Sequence, residues 1–205
     1  MTRGTRMRGA VGLASAIVAL AAAHPASAHL LAGDGTGGFA AGFAHPLTGL
    51  DHLLAMVSVG IWGAELGAPA IWLLPIAFPL VMAVGGALGV IGVPLPGAEW
   101  LIALSVLVLG GFIAYGRRVP LGLALVVVGV FAIAHGHAHG TELPASADAL
   151  AFTVGFVLAT GMLHLAGIGI GLLFRFPRGI AAIRGCGLLV ALAGGYFILG
   201  HAAGA

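Results

Sequence analysis

Residues 45–65 read HPLTGLDHLLAMVSVGIWGAE, and this stretch decides the fold. It is apolar over most of its length and long enough to cross a bilayer as a helix, which takes about 20 residues. Its leading end nevertheless carries two imidazoles and a carboxylate, His45, Asp51 and His52. Such groups are costly to place in lipid and usually face a partner, a cavity or an ion path. A second cluster, His135-Gly136-His137-Ala138-His139-Gly140-Thr141-Glu142, ends another apolar run. Together the two clusters hold five of the nine histidines and two of the six acids. In a chain with so little charge, that concentration points to a divalent metal ion.

The bulk composition agrees. Of 205 residues, 60% are hydrophobic and 7% charged, where a soluble domain carries roughly 25% charged residues. The chain therefore reads as an all-α, polytopic membrane protein embedded in a lipid bilayer. All eight basic residues are arginines and no basic block is present, so nothing points to nucleic acid. The single cysteine, Cys186, has no partner for an internal disulfide or a thiolate metal site.

Residues 1–28 read as a cleavable signal peptide. Arg3, Arg6 and Arg8 supply a positive start, Val11 to Ala23 a short apolar core, and Ala26-Ser27-Ala28 a small-x-small cleavage site. Residues 29–205 then form a single transmembrane helical bundle. Six stretches are long enough to span: about 46–65, 70–91, 98–116, 119–137, 148–173 and 182–201. Gly67-Ala68-Pro69, Pro94-Leu95-Pro96-Gly97, Pro120, Pro144 and Pro177 punctuate them. Thirty-six glycines suit closely packed helices, since small residues let backbones approach. The two three-helix halves would run in opposite directions.

Arginine sets the orientation. Arg117 and Arg118 lie between spans three and four, and Arg175, Arg178 and Arg184 between spans five and six. By the positive-inside rule both loops are cytoplasmic. The mature N-terminus and the C-terminus are then outside, and both clusters sit at outer ends of their spans. His164, roughly sixteen residues into the fifth span, would lie about 24 Å along that helix, toward the cytoplasm.

Within the first cluster, Pro46 suits the first position of a helix, with His45 near the N-cap. His45, Gly49 and His52 would then share one helix face. Asp51 stands close enough to bind the same ion or to orient an imidazole, and Gly49 leaves room beside them. In the second cluster His135, His139 and Glu142 share a face if the helix persists, while His137 points away. His164 reads as an inner relay ligand. Imidazole and carboxylate suit borderline divalent ions such as Ni²⁺, Co²⁺ and Zn²⁺. Glu99 reads as serving a helix N-terminus, and Glu65 and Asp148 as end or loop residues.

The motifs H-P-L-T-G-L-D-H and H-G-H-A-H-G-T-E, the A-T-G-M-L-H segment in the fifth span, the signal peptide and the six spans resemble the HupE/UreJ family. The resemblance covers essentially the whole mature chain. It implies a permease of the bacterial inner membrane for nickel, sometimes cobalt, that supplies hydrogenase or urease. It carries over His45, Asp51 and His52 as transport-critical, and His135, His139 and Glu142 as the polar face of the second motif. The metal is then a transported substrate, and no cofactor is expected. Oligomeric state is left open, a homo-oligomer included. Two other classes compete: an intramembrane metal-dependent hydrolase, and a metal sensor or assembly factor for a metalloenzyme. Transport is preferred, because an enzyme needs a spare general base and a lateral opening, and a sensor needs a sizeable soluble domain.

Reporter fusions after Arg118 and Arg178 are expected to read cytoplasmic, and one beside Pro144 periplasmic. A cytoplasmic reading beside Pro144 would put the two clusters on opposite sides of the membrane.

Overall fold

The computed structural model describes residues 38–143 and 148–204. The signal-peptide segment, 1–28, lies outside the described residues. Those described form α1 (Gly38–Thr48), α2 (Leu50–Leu66), α3 (Ala70–Val90), α4 (Ala98–Tyr115), α5 (Leu121–Thr141), α6 (Ala149–Gly171) and α7 (Pro177–Ala202). A turn of 3-10 helix, Leu172–Arg175, joins α6 to α7. There is no strand among the described residues, so the fold is all-α.

Five elements are long and apolar enough to cross a membrane, α6 with its 3-10 extension being one. The sixth span is a broken one. The expectation of a single helix starting at Pro46 is corrected: α1 and α2 meet at Gly49 with an 81° bend. Both signals for the break are local. Pro46 sits inside α1 and has no N–H to offer the preceding turn. Gly49 is extended at φ −83°, ψ 115° and starts α2. The Thr48 hydroxyl turns back to donate to the His45 carbonyl at 2.8 Å. The sixth span begins earlier than expected, with Pro177 at its first positions, where the missing N–H costs nothing.

The helices pair out of sequence order: α3 with α5, α4 with α7, and both α1 and α2 with α6. Counting α1–α2 as one span, the pairs are first with fifth, second with fourth and third with sixth. Exchanging the first three spans for the last three maps this set onto itself, as inverted halves would. Lipid tails are as apolar as leucine, so helix association rests on close packing and polar contacts. Glycines provide the closeness. A Cβ on Gly136 would overlap the Met82 carbonyl and one on Gly140 the Gly86 carbonyl, which locks α5 to α3. Gly60 and Gly167 do the same between α2 and α6, with Gly60 against the His164 carbonyl. The result is a fixed convergence of the α1–α2 break, the end of α5 and the middle of α6.

Gly136→Val should lower stability by at least about 1–3 kcal/mol through overpacking, seen as a fall in the melting temperature of the detergent-purified protein. Gly129, on the same helix, has open space where a Cβ would go. Gly129→Ala should leave the melting temperature unchanged or slightly raised, by up to about 1 kcal/mol of helix propensity.

Candidate metal centre

The break at Gly49 changes how the first cluster is built. His45 ends α1 and His52 belongs to the first turn of α2, so they do not share a helix face. The fold brings them to one place instead. The His139 ring on α5 lies between them, with ring centroids 4.7 Å from His45 and 4.3 Å from His52. His52 in turn meets His135 at 4.9 Å. The Phe78 ring on α3 follows, 5.5 Å from His135 and 5.5 Å from His164 on α6. Glu142 caps the other end, its Oε2 3.4 Å from His45 Nε2. The site therefore forms a column: Glu142 and His45, then His139, then His52 with Asp51, then His135, Phe78 and His164. One atom each from His45, His139 and Glu142 lie within 4.8 Å of one another.

The hydrogen bonds fix which nitrogen each ring presents. A carbonyl or carboxylate oxygen only accepts, so the nitrogen facing it carries the proton. His135 Nδ1–H donates to the Phe131 carbonyl at 2.8 Å. His164 Nδ1–H donates to the Pro75 carbonyl at 3.1 Å. His52 Nδ1–H donates to Asp51 Oδ1 at 3.0 Å, and the same oxygen accepts the His52 backbone N–H at 2.8 Å. In a neutral imidazole this leaves Nε2 as the unprotonated nitrogen, and in all three rings Nε2 is buried without a hydrogen-bond partner. Both ring nitrogens of His139 are buried and unpartnered as well. Leaving a polar atom unsatisfied in the interior costs on the order of 1–3 kcal/mol. Several such nitrogens along one column suit a cation. Ligating histidines elsewhere show this same pattern, one nitrogen held by a carboxylate or carbonyl and the other free for the metal.

Gly49 makes room for the Asp51–His52 arrangement: a Cβ there would stand 3.0 Å from His52 Nδ1 and 3.1 Å from Asp51 Oδ1. The His45 ring beside Glu142 holds that exposed carboxyl below its ordinary value, so it stays ionised. Asp51 and Glu142 together can offset a double positive charge. His137 stands apart, its Nε2–H donating to the Val93 carbonyl at 2.6 Å, which ties α5 to the segment after α3. Gly136 and Gly140 do not unwind the helix, which runs on to Thr141. Glu99 is in the first turn of α4 as expected. It lines, with His137 and Trp100, a separate cavity of about 350 Å³. A larger apolar cavity of about 370 Å³ reaches His139 between α3, α5 and α6. His164 lies one phenyl ring beyond His135, in mid-bundle. Nothing in the residue pattern marks Phe78 as the spacer between them, or Phe152 and Phe156 as rings against His45 and His139.

A sequence model of the HupE / UreJ protein family matches residues 13–197. Protein HupE of Rhizobium leguminosarum bv. viciae is 45% identical over 180 residues, covering 88% of this chain and 94% of the relative. The chain belongs to the HupE/UreJ family. No solved structure matches it.

Asp51→Asn keeps the size of the side chain but weakens its hold on His52. Affinity for Co²⁺, followed by its visible absorption on the purified protein, should fall about 10–100-fold, as it does when groups that orient metal ligands are changed. Unchanged affinity would remove Asp51 from the site.

Proposed function

We propose that this HupE/UreJ-family protein is a permease of the bacterial inner membrane that takes up a divalent transition-metal ion, nickel first and cobalt second. The observation that carries the reading is the set of three imidazoles in the column, His52, His135 and His164, whose Nδ1–H groups are tied and whose Nε2 atoms are buried and unpartnered. Borderline ligands of this kind suit Ni²⁺ and Co²⁺, and the kinship with HupE agrees. His45, Asp51, His52, His135, His139, Glu142 and His164 are the residues assigned to the ion.

The order of the column supplies the mechanism. Glu142 and His45 are partly exposed and meet the hydrated ion. His139 and His52 replace its waters. Asp51 stabilises the charge as the dielectric falls, and its hydrogen bond to His52 keeps the imidazole aimed. His135 and then His164 receive the ion deeper in the bundle. Many modest sites suit conduction better than one closed cage, because the ion has to leave as well as enter. The arginines beyond α4 and after α6 lie at the far ends of these helices from the clusters. The positive-inside rule puts that end in the cytoplasm, with the metal column opening to the periplasm and both termini of the mature chain on that side. Transport is favoured over hydrolysis because both carboxylates of the column are engaged with histidines, leaving neither as a free general base.

The test is uptake of Ni²⁺ or Co²⁺ into proteoliposomes that hold a metal-sensitive dye, with and without the protein. His52→Ala should abolish it while the protein stays folded; uptake at the wild-type rate would end the reading. Protons compete with metal for imidazole nitrogen, so binding releases protons. Equilibrium binding should therefore weaken on acidification. Binding that is indifferent to acidification, and that releases no protons, would rule out histidine capture.

A further inference from the structure

α2 has a second polar face. Asp51, Ser58, Trp62 and Glu65 follow at spacings of seven, four and three, which places them within about 60° of one another around the helix. Ser58 Oγ, Trp62 Nε1 and Glu65 Oε2 are all buried and without a hydrogen-bond partner. This face looks toward α4 and α7, away from the glycine contact with α6: the Trp62 ring stacks on Phe112 of α4 at 4.7 Å. Glu65 is in the last turn of α2, an end residue as the sequence suggested, but its side chain is only 7% exposed.

Glu65 is half-satisfied. Its Oε1 accepts from Arg184 Nη1 of α7 at 2.6 Å, and its Oε2 has nothing. Arg184 is held on every side. It also donates to the Ile113 carbonyl and, at 3.4 Å, to the Gly116 carbonyl at the end of α4. Its guanidinium lies over the Phe174 ring at 4.8 Å. Gly116 has φ 68°, and a Cβ there would overlap the guanidinium. One cation thus joins α2, α4, α7 and the 3-10 turn at the arginine-rich end of the bundle. It is 29% exposed, while the carboxylate it covers is buried.

We propose that Glu65 is the exit ligand of the conduction path and that Arg184 is the latch that closes it. The proposal rests on the transport reading. An ion that has reached Asp51 and His52 moves on along Ser58 to the free Glu65 Oε2, so that His135 and His164 hold the ion on the α5 and α6 side of α2 and this face carries it out. Its double charge competes with the single charge of the guanidinium for the carboxylate. Arg184 releases Glu65 while the Ile113 and Gly116 carbonyls keep it at the bundle end. A plain structural clamp explains the ion pair. It does not explain the unpartnered oxygens, Ser58 Oγ and Glu65 Oε2, that lie along the same face.

The latch is tested by thiol labelling, which needs no transport. Ser58→Cys is made in a Cys186→Ser background, reconstituted, and exposed to a membrane-impermeant maleimide at the arginine-rich face. Ser58 is about 10 Å along α2 from Glu65. With the latch intact labelling should be slow. Arg184→Gln and Glu65→Gln should each speed it by about tenfold or more, as expected when a local opening is favoured. The exchanged pair Glu65→Arg with Arg184→Glu should keep it slow, which separates loss of the pair from loss of the fold. Labelling as slow in both single variants as in the parent would overturn the latch. For the exit role, Glu65→Gln should leave Co²⁺ binding within about twofold and cut Co²⁺ uptake about tenfold or more, the split expected for a site beyond the entrance. Undiminished uptake, or binding lost along with uptake, would overturn it. Absence of uptake by the unmodified protein would instead count against the transport reading, and the labelling would still decide the latch.

Discussion

The structure depends on helices touching backbone to backbone at glycine. In lipid there is no hydrophobic gain in burying leucine against leucine, so the geometry of the bundle is set where small residues allow contact and where polar groups need partners. Gly136 and Gly140 seat the end of α5 against α3, and Gly60 and Gly167 seat α2 against α6. Gly42 does likewise for α1, where a Cβ would overlap the Phe152 carbonyl of α6. These contacts bring His45, His52 and His139 together from three separate helices. Larger residues at any of them would separate rings whose centroids now lie 4.3–4.7 Å apart. The contacts also leave carbonyls of Phe131 and Pro75 within reach of the imidazoles that they orient.

That orientation resolves an apparent conflict. Seven polar groups that would each be costly in the membrane are concentrated in one column, and several of their atoms lack partners within the protein. Three of the rings nevertheless have one nitrogen satisfied, His52 by Asp51, His135 by the Phe131 carbonyl and His164 by the Pro75 carbonyl, and the deficit falls on their Nε2 atoms and on His139. A fold that merely tolerated histidines would distribute the deficit at random. A cation placed in the column would relieve it, and the Asp51 and Glu142 carboxylates would offset the charge.

The spans and the family were legible because composition, spacing and short motifs act locally. The helix break at Gly49 was not read, although its signals were present. The regular spacing of His45, Gly49 and His52 suggested one face, and Pro46 looked like a helix start. In fact Pro46 stands inside α1, and the ring contacts of His45 with Phe152 and Phe156 hold it against α6. The contact between Glu65 and Arg184 joins residues 119 positions apart. No periodicity reports such a pair, and a lone acid near the end of a span resembles any other. Phe78 was illegible for the same reason: an apolar residue in an apolar helix gains meaning only from the rings on either side of it.

Asp51 lies about 100° around α2 from His52, and this small offset gives α2 its central place. One face of α2 presents His52 to α5 and closes the column of imidazoles. The next face begins with Asp51 itself and continues through Ser58 and Trp62 to Glu65. The same carboxylate therefore orients a ligand on one side and starts a polar stripe on the other. A helix whose His52 meets the α5 imidazoles on one face and whose Trp62 stacks on α4 on the next is suited to hand a charge from one interface to the other. The 81° break frees the start of α2 from the direction of α1, so His45 can remain with the exposed entrance while Asp51 and His52 lie within the bundle. A continuous helix would have fixed His45 and His52 at one spacing along one face. The break lets the entrance and the first buried ligand be placed independently, with His139 standing between the two.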